Sequence, residues 1–317
     1  MSTRILTQIR EAIEQLNPAD VRETAERPLA IQLTAASSAG YAAIEDFLAP
    51  RTVSHQKRLE LITYLYRAGD PGVPAHLDLD IYERGLPAPP DGFTFDRRQP
   101  GRFIQDVLTR KDELGLPLAR LFPPFRRPVT DKVIFNVAKE NAFFAIATSM
   151  PDLLPGLSLP LAIPAAASDA TVLTVNQIRM AFLLAAASDR PVGYREQKKE
   201  VGSIIAGAFG WRALARTLVG KVPFGGGILP KAGIAFAATY VEGISLERYY
   251  RLGYGLTREE RKLAYGEALA RGREVAGEIW ESVKRRRGEK MYREAVSAPA
   301  AEPVTAANGH GSREPKH

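Results

Sequence analysis

Asp169, Asn176 and Arg179 interrupt the most apolar stretch of this 317-residue chain. Their spacings of seven and three place them on one face if a single helix covers them. A carboxylate, an amide and a guanidinium on one face could line an inward polar site. They could equally form an internal ion-pair network that fixes helix register, which is the simpler expectation. Asp152, Glu200 and Glu242 are further carboxylates that could serve the arginine. A second group, Arg212, Arg216 and Lys221, gathers beside the glycine-rich break at residues 223–229. Arg212 and Arg216 are four apart and share a helix face. Three cations there suit an anionic lipid headgroup or a partner protein. The basic run at residues 284–287 (KRRR) is explained more simply as the solvated C-terminus of a helix.

Other reactive side chains are scarce. The chain has no Cys, and two of its four His (His310, His317) lie near the end, leaving His55 and His76. Thiol nucleophiles, disulfides, cysteine–zinc sites and iron–sulfur clusters are excluded. Two histidines are too few for a His-rich metal site. A phosphate-binding loop needs G-x-x-x-x-G-K-[ST], whose backbone amides and Lys hold the phosphates. The corresponding loop reads AASSAGY at residues 35–41, with no Lys and one Gly. Lys221 follows Gly220 but precedes Val222. The motifs G-x-S-x-G, H-E-x-x-H and G-x-G-x-x-G are missing too. No catalytic residue, cofactor or metal is therefore expected, and a binding module is favoured over an enzyme.

The elements that must position these residues divide the chain by composition. The formal charge is +7 and a quarter of all residues are charged. Yet between residues 142 and 187 the only charges are Asp152, Asp169 and Arg179. Residues 1–20 read as an amphipathic helix, with Ile5, Ile9, Ile13 and Leu16 on one face, and lack the apolar run of a signal peptide. Residues 21–113 read as a small α/β unit: alternating segments at 29–35 and 76–83 predict strands, and helical runs lie at 41–48 and 56–67. Residues 114–130 read as a proline-rich linker. Residues 131–287 read as a mainly α-helical, apolar domain, broken near the prolines of 151–164. Residues 288–317 are Pro/Ala/Ser-rich and read as disordered. The expected fold class is α+β.

A helix that spans a bilayer needs roughly 20 apolar residues. Residues 171–187, 201–222 and 224–241 approach that length but carry Arg179, Arg212 with Arg216, and Lys231. Central arginines cost about 2.5–3.5 kcal/mol each on insertion scales. A soluble helical domain and a bundle that lies on or partly enters a bilayer are both open.

Residues 140–253 carry a resemblance. NQIRM (176–180), FGWRALAR (209–216), KVPFGGG (221–227) and SLERYY (245–250) together resemble the GTPase-associated bacterial family designated domain of unknown function 697. The likeness covers about residues 130–253. It implies a helical protein at the cytoplasmic face of the inner membrane, peripheral or partly inserted, that accompanies a GTPase. The GTPase part itself is not recognisable here, since the guanine-reading Asn-Lys-x-Asp is missing as well. The resulting expectation is a non-enzymatic, membrane-associated accessory or scaffold protein that binds a GTPase, an envelope protein or anionic lipid. The alternative is a soluble helical regulatory domain that binds a small hydrophobic or phosphorylated ligand. Homo-oligomers are compatible with either, and nucleic acid is a minor option.

Overall fold

The computed structural model describes residues 16–149, 169–206 and 227–297, with positions 11, 12 and 14. It is an α+β protein, with a small parallel sheet in the N-terminal half and a helical C-terminal part. The strands are β1 (Ile31–Thr34), β2 (Leu65–Arg67), β3 (Leu79–Glu83) and β4 (Phe93–Phe95). They pair in the order β2-β1-β3-β4, all parallel. Alternation sets the faces: Ile31, Leu33, Leu79, Ile81, Phe93 and Phe95 are buried, while Gln32, Asp80 and Thr94 between them are less so. In register across the polar face, the Gln32 amide donates to Asp80 at 3.4 Å, and the Tyr82 hydroxyl donates to the same carboxylate at 2.7 Å. Helices α2 (Ser38–Leu48) and α3 (His55–Ile62) connect β1 to β2. Residues 56–67, expected as one helix, instead split into α3 and the short strand β2.

The expected linker at 114–130 is ordered helix. After α4 (Pro100–Arg110) come a 3-10 turn at Asp112–Leu114, α5 (Gly115–Leu121) and α6 (Pro123–Ala147). The prolines that suggested a linker start the longer helix instead. Pro123 and Pro124 sit in its first turn, where a missing N–H costs nothing. Leu114, Leu118, Phe122 and Phe125 are buried in the same core as the strands. Edge-on rings carry that core from β4 to α6: Phe95–Phe103 centroids are 5.7 Å apart and Phe103–Phe125 6.1 Å. The sheet's apolar core therefore extends onto α5, the start of α6 and the end of α7.

Among the described residues the chain continues with α7 (Asp169–Ala187), α8 (Ile228–Leu252) and α9 (Arg258–Ser297), and a helical segment at 198–206 lies between α7 and α8. Helix α8 packs against α6, α7 and α9. Glycines let it approach closely. A Cβ on Gly243 would fall 2.7 Å from Ile134 and 3.0 Å from Met180. A Cβ on Gly272 of α9 would fall 2.7 Å from the carbonyl oxygen of Gly233. Helix α9 opens with a reciprocal cap. The Glu260 N–H donates to Thr257 Oγ1 at 3.2 Å, and the Thr257 N–H donates to the Glu260 carboxylate at 2.8 Å. The helix runs on to Ser297, so the expected boundary at 287 is too early, and residues beyond 297 lie outside those described.

The N-terminal segment belongs with the helices rather than with the sheet. Helix α1 (Pro18–Glu26), capped by the Asn17 side chain, packs on α5 and α7. Ala12, Leu16 and Ala25 join the α7 residues Val175 to Ala186 in one core, and the Tyr194 hydroxyl donates to the Leu16 carbonyl at 2.6 Å. Residues 21–26, assigned above to the α/β unit, are thus part of the helical layer. Among the described residues, no helix is long and apolar enough to cross a membrane.

Candidate functional site

In a parallel sheet of this order, ligands bind where strands diverge to opposite sides, here beyond the C-terminal ends of β1 and β3. The protein fills that position with its own anion. The Glu83 carboxylate at the end of β3 accepts from the Ala36 N–H at 2.9 Å. It also lies over Gly40 in the first turn of α2, where a Cβ would meet it at 2.3 Å. A carboxylate thus occupies the helix N-terminus at which a nucleotide fold holds phosphate.

The candidate site lies where three helix ends converge. The start of α6 brings Arg126 and Arg127, the end of α7 brings Asp189 and Arg190, and the last turn of α8 brings Glu247, Tyr250 and Arg251. They line a cleft of about 510 Å³. Four arginines against two carboxylates leave an excess of positive charge.

Local backbone chemistry places Asp189. The Arg190 N–H donates to the Ala185 carbonyl at 2.9 Å and the Asp189 N–H to the Ala186 carbonyl at 3.1 Å. This pair of bonds is a Schellman motif, whose residue after the cap is left-handed and usually Gly. Here it is Asp189, with φ 58°. A negative charge at a helix C-terminus and a positive one at a helix N-terminus both oppose the helix dipoles. Asp189 and Arg126 are such a misplaced pair, and they offset each other at 3.6 Å. Lys57 from α3 also reaches Asp189, at 3.0 Å.

Each arginine is held differently. Arg126 donates from Nε to the Ala119 carbonyl at 3.2 Å and from Nη2 to the Arg120 carbonyl at 3.3 Å. Burial pulls its pKa down, and the Asp189 charge compensates only in part. Arg127 is the reverse case. Burial disfavours its charge, but Asp131 and Glu247 outweigh that and raise its pKa. Glu247 is 5% exposed and bridges two cations: Arg127 at 2.9 Å and Arg251 at 2.9 Å. Arg190 is exposed and donates from Nη2 to the Tyr250 carbonyl at 3.1 Å. Its remaining N–H groups have no partner among the described residues. A partly desolvated arginine, Arg126, beside one with spare donors, Arg190, suits the binding of a phosphate or carboxylate.

Of the two groups singled out in sequence, only Asn176 and Arg179 have described side chains, and these two go to different partners. Arg212, Arg216 and Lys221 lie outside the described residues. Asp169 begins α7, and its side chain is likewise outside them. Asn176 is buried at 5% and donates to Asn141 Oδ1 at 2.7 Å. Asn141 in turn donates to Thr239 Oγ1 at 2.8 Å, to which Gln177 also donates, at 3.3 Å. This polar layer joins α6, α7 and α8. Arg179 turns elsewhere, to Glu140 at 3.1 Å, with both side chains about one third exposed. Glu242, considered above as its partner, instead holds Arg261 at 2.7 Å. The cleft residues were missed because they come from three distant segments. The signals that could have flagged them are short: RRP after an apolar run, SDRP closing the α7 apolar run, and ERYYR closing α8.

Comparison with protein-family models, with curated proteins and with solved structures yields no match to this chain.

Proposed function

We propose that the protein is a binding module whose arginine cleft takes a phosphorylated, anionic ligand. The observation that carries this reading is the partly buried Arg126, whose charge Asp189 offsets only in part, beside the open donors of Arg190, in a cleft where arginines outnumber carboxylates. An anion there would restore the charge balance that Asp189 supplies only in part. Isothermal titration of the whole chain with inorganic phosphate and pyrophosphate tests it. Saturable binding that weakens with salt, and that drops about tenfold or more in Arg126→Gln, is the expected result. Binding unchanged in Arg126→Gln would overturn it.

A second reading places the same phosphate in a lipid headgroup. Leu252 and Tyr254, 45% and 57% exposed, follow Arg251 at the rim of the cleft, and apolar and aromatic side chains beside arginines suit a bilayer interface. The resemblance to the GTPase-associated family supports the same setting, with an accessory role beside a GTPase at the inner membrane. Sedimentation with anionic vesicles, compared between the natural chain and a Leu252→Ser/Tyr254→Ser variant, tests this version. Equal recovery of both with the vesicles would count against it.

A further inference from the structure

A second cavity, of about 380 Å³, adjoins the arginine cleft and shares Arg190 and Tyr250 with it. Its chemistry is opposite. Glu196, Glu200, Gln197 and Tyr249 contribute to its lining. Glu200 is only 8% exposed, yet no lysine, arginine or histidine pairs with it among the described residues. A buried carboxylate without a cation is costly, and proteins normally supply one. Tyr250 beside it is 5% exposed, and its hydroxyl faces the Glu200 carboxylate. Burial pushes this phenol's pKa far up, and the charge of Glu200 adds to the effect, so Tyr250 stays a neutral donor and acceptor.

The neighbouring groups are already committed elsewhere. Gln197 accepts from the Gly193 N–H at 2.9 Å and donates to the Pro191 carbonyl at 2.8 Å, which fixes the turn that carries Arg190. Arg190 spends one donor on the Tyr250 carbonyl and faces both cavities. Two needs of opposite sign therefore adjoin among the described residues: further negative charge for Arg126, which Asp189 offsets only in part, and for Arg190, and a cation for Glu200.

We infer that the two cavities hold the two ends of one zwitterionic ligand, a phosphate at Arg126 and Arg190 and an ammonium group at Glu200. This rests on the anion-binding reading above and adds the ligand's second half. A neutral hydroxyl would leave Glu200 without a cation; an ammonium supplies one and donates to the carboxylate. The chemistry is shared by a free phosphorylated amine and by a zwitterionic lipid headgroup.

The test titrates the full chain at low salt with O-phosphoethanolamine, glycerol 3-phosphate and inorganic phosphate. Charge-assisted bonding to Glu200 should make phosphoethanolamine bind about tenfold tighter than glycerol 3-phosphate. In Glu200→Gln that preference should vanish while inorganic phosphate binds as before. Equal affinities in the natural chain would overturn the inference even if Glu200→Gln did not fold. If both phosphates bind measurably and as tightly as phosphoethanolamine, only the ammonium half fails; if no free phosphate binds and no vesicle is captured, the anion-binding reading fails with it. Phosphatidylcholine vesicles with and without phosphatidylethanolamine separate the sources. Capture only by the ethanolamine lipid, without binding of the free compound, supports the inference with a lipid as the source. Failure of both forms to bind overturns it.

Discussion

The ammonium of Lys57 lies 3.0 Å from the carboxylate of Asp189, joining a helix of the sheet unit to the end of a core helix of the bundle. Both side chains are about a quarter exposed. Asp189 adopts a backbone conformation that Gly would adopt more easily, so its retention there depends on what the carboxylate holds: Lys57 on one side and Arg126 on the other.

Substitutions at Asp189 should separate these effects. Asp189→Ala loses both ion pairs and keeps the left-handed strain. Asp189→Gly loses the pairs but relieves roughly 1 kcal/mol of strain. Urea denaturation should therefore rank the natural chain above the Gly variant and the Gly variant above the Ala variant. Burial opposes the Lys57 charge, but Asp189 and Glu60 prevail and raise its pKa. The stability this lysine contributes is thus fully present below its unfolded pKa of about 10.4 and is lost as pH rises through the higher folded value. The difference in stability between the natural chain and Lys57→Met should shrink over that alkaline range.

Glu83 should behave as a built-in cap of α2. Glu83→Ala leaves the Ala36 N–H without its acceptor and should cost about 1 kcal/mol, read from the urea midpoint. Glu83→Gln keeps an acceptor oxygen and should lose less. Equal losses would mean that charge at the helix N-terminus matters more than the hydrogen bond.

Two glycines of α9 should respond with opposite sign. Gly272→Ala drives a Cβ into the Gly233 carbonyl and should destabilise by about 1–3 kcal/mol. Gly277→Ala meets nothing within 4 Å and should stabilise by about 0.5–1 kcal/mol through helix propensity. Thermal melts of the two single variants decide it.

The buried amide layer should matter more than the half-exposed ion pair beside it. Asn141→Ala strands donors and acceptors on Asn176 and Thr239 and should cost about 2–4 kcal/mol. Arg179→Gln, which loses only its contact with Glu140, should cost less than about 1 kcal/mol. Comparable losses would show that Arg179 belongs to the polar layer after all.

Much of the element order can be read in the sequence because caps and periodicity act locally. Asn17 before Pro18, Ser37 before α2 and Thr257 with Glu260 all mark helix starts through bonds a few residues long. The strands β1 and β3 announce themselves by alternation. The strands β2 and β4 do not, since three residues hold too little of a period and their positions are set by partners already in the sheet. Prolines misled at 114–130, because Pro123 and Pro124 break a preceding helix and begin the next with the same chemistry. The cleft escaped notice for a different reason. Arg126, Asp189 and Glu247 lie near the ends of three helices far apart in the chain, and only packing makes them neighbours. Asn176 and Arg179 share a helix but divide between a buried amide layer and a surface carboxylate, a distinction that spacing alone does not contain.

The docking of α1 onto α7 also has a consequence for the order of events during synthesis. The first helical residues of the chain leave the ribosome well before their partners: Leu16 accepts its hydrogen bond from Tyr194, and Ala25 packs among residues of α7. At about 5–20 residues per second, this segment waits on the order of ten seconds with its apolar face unmatched. The sheet, whose strands all lie before residue 96, can assemble during that interval. The helical layer can close only when residues 16–25 meet α7 and Tyr194, so a segment made before the sheet is buried after it.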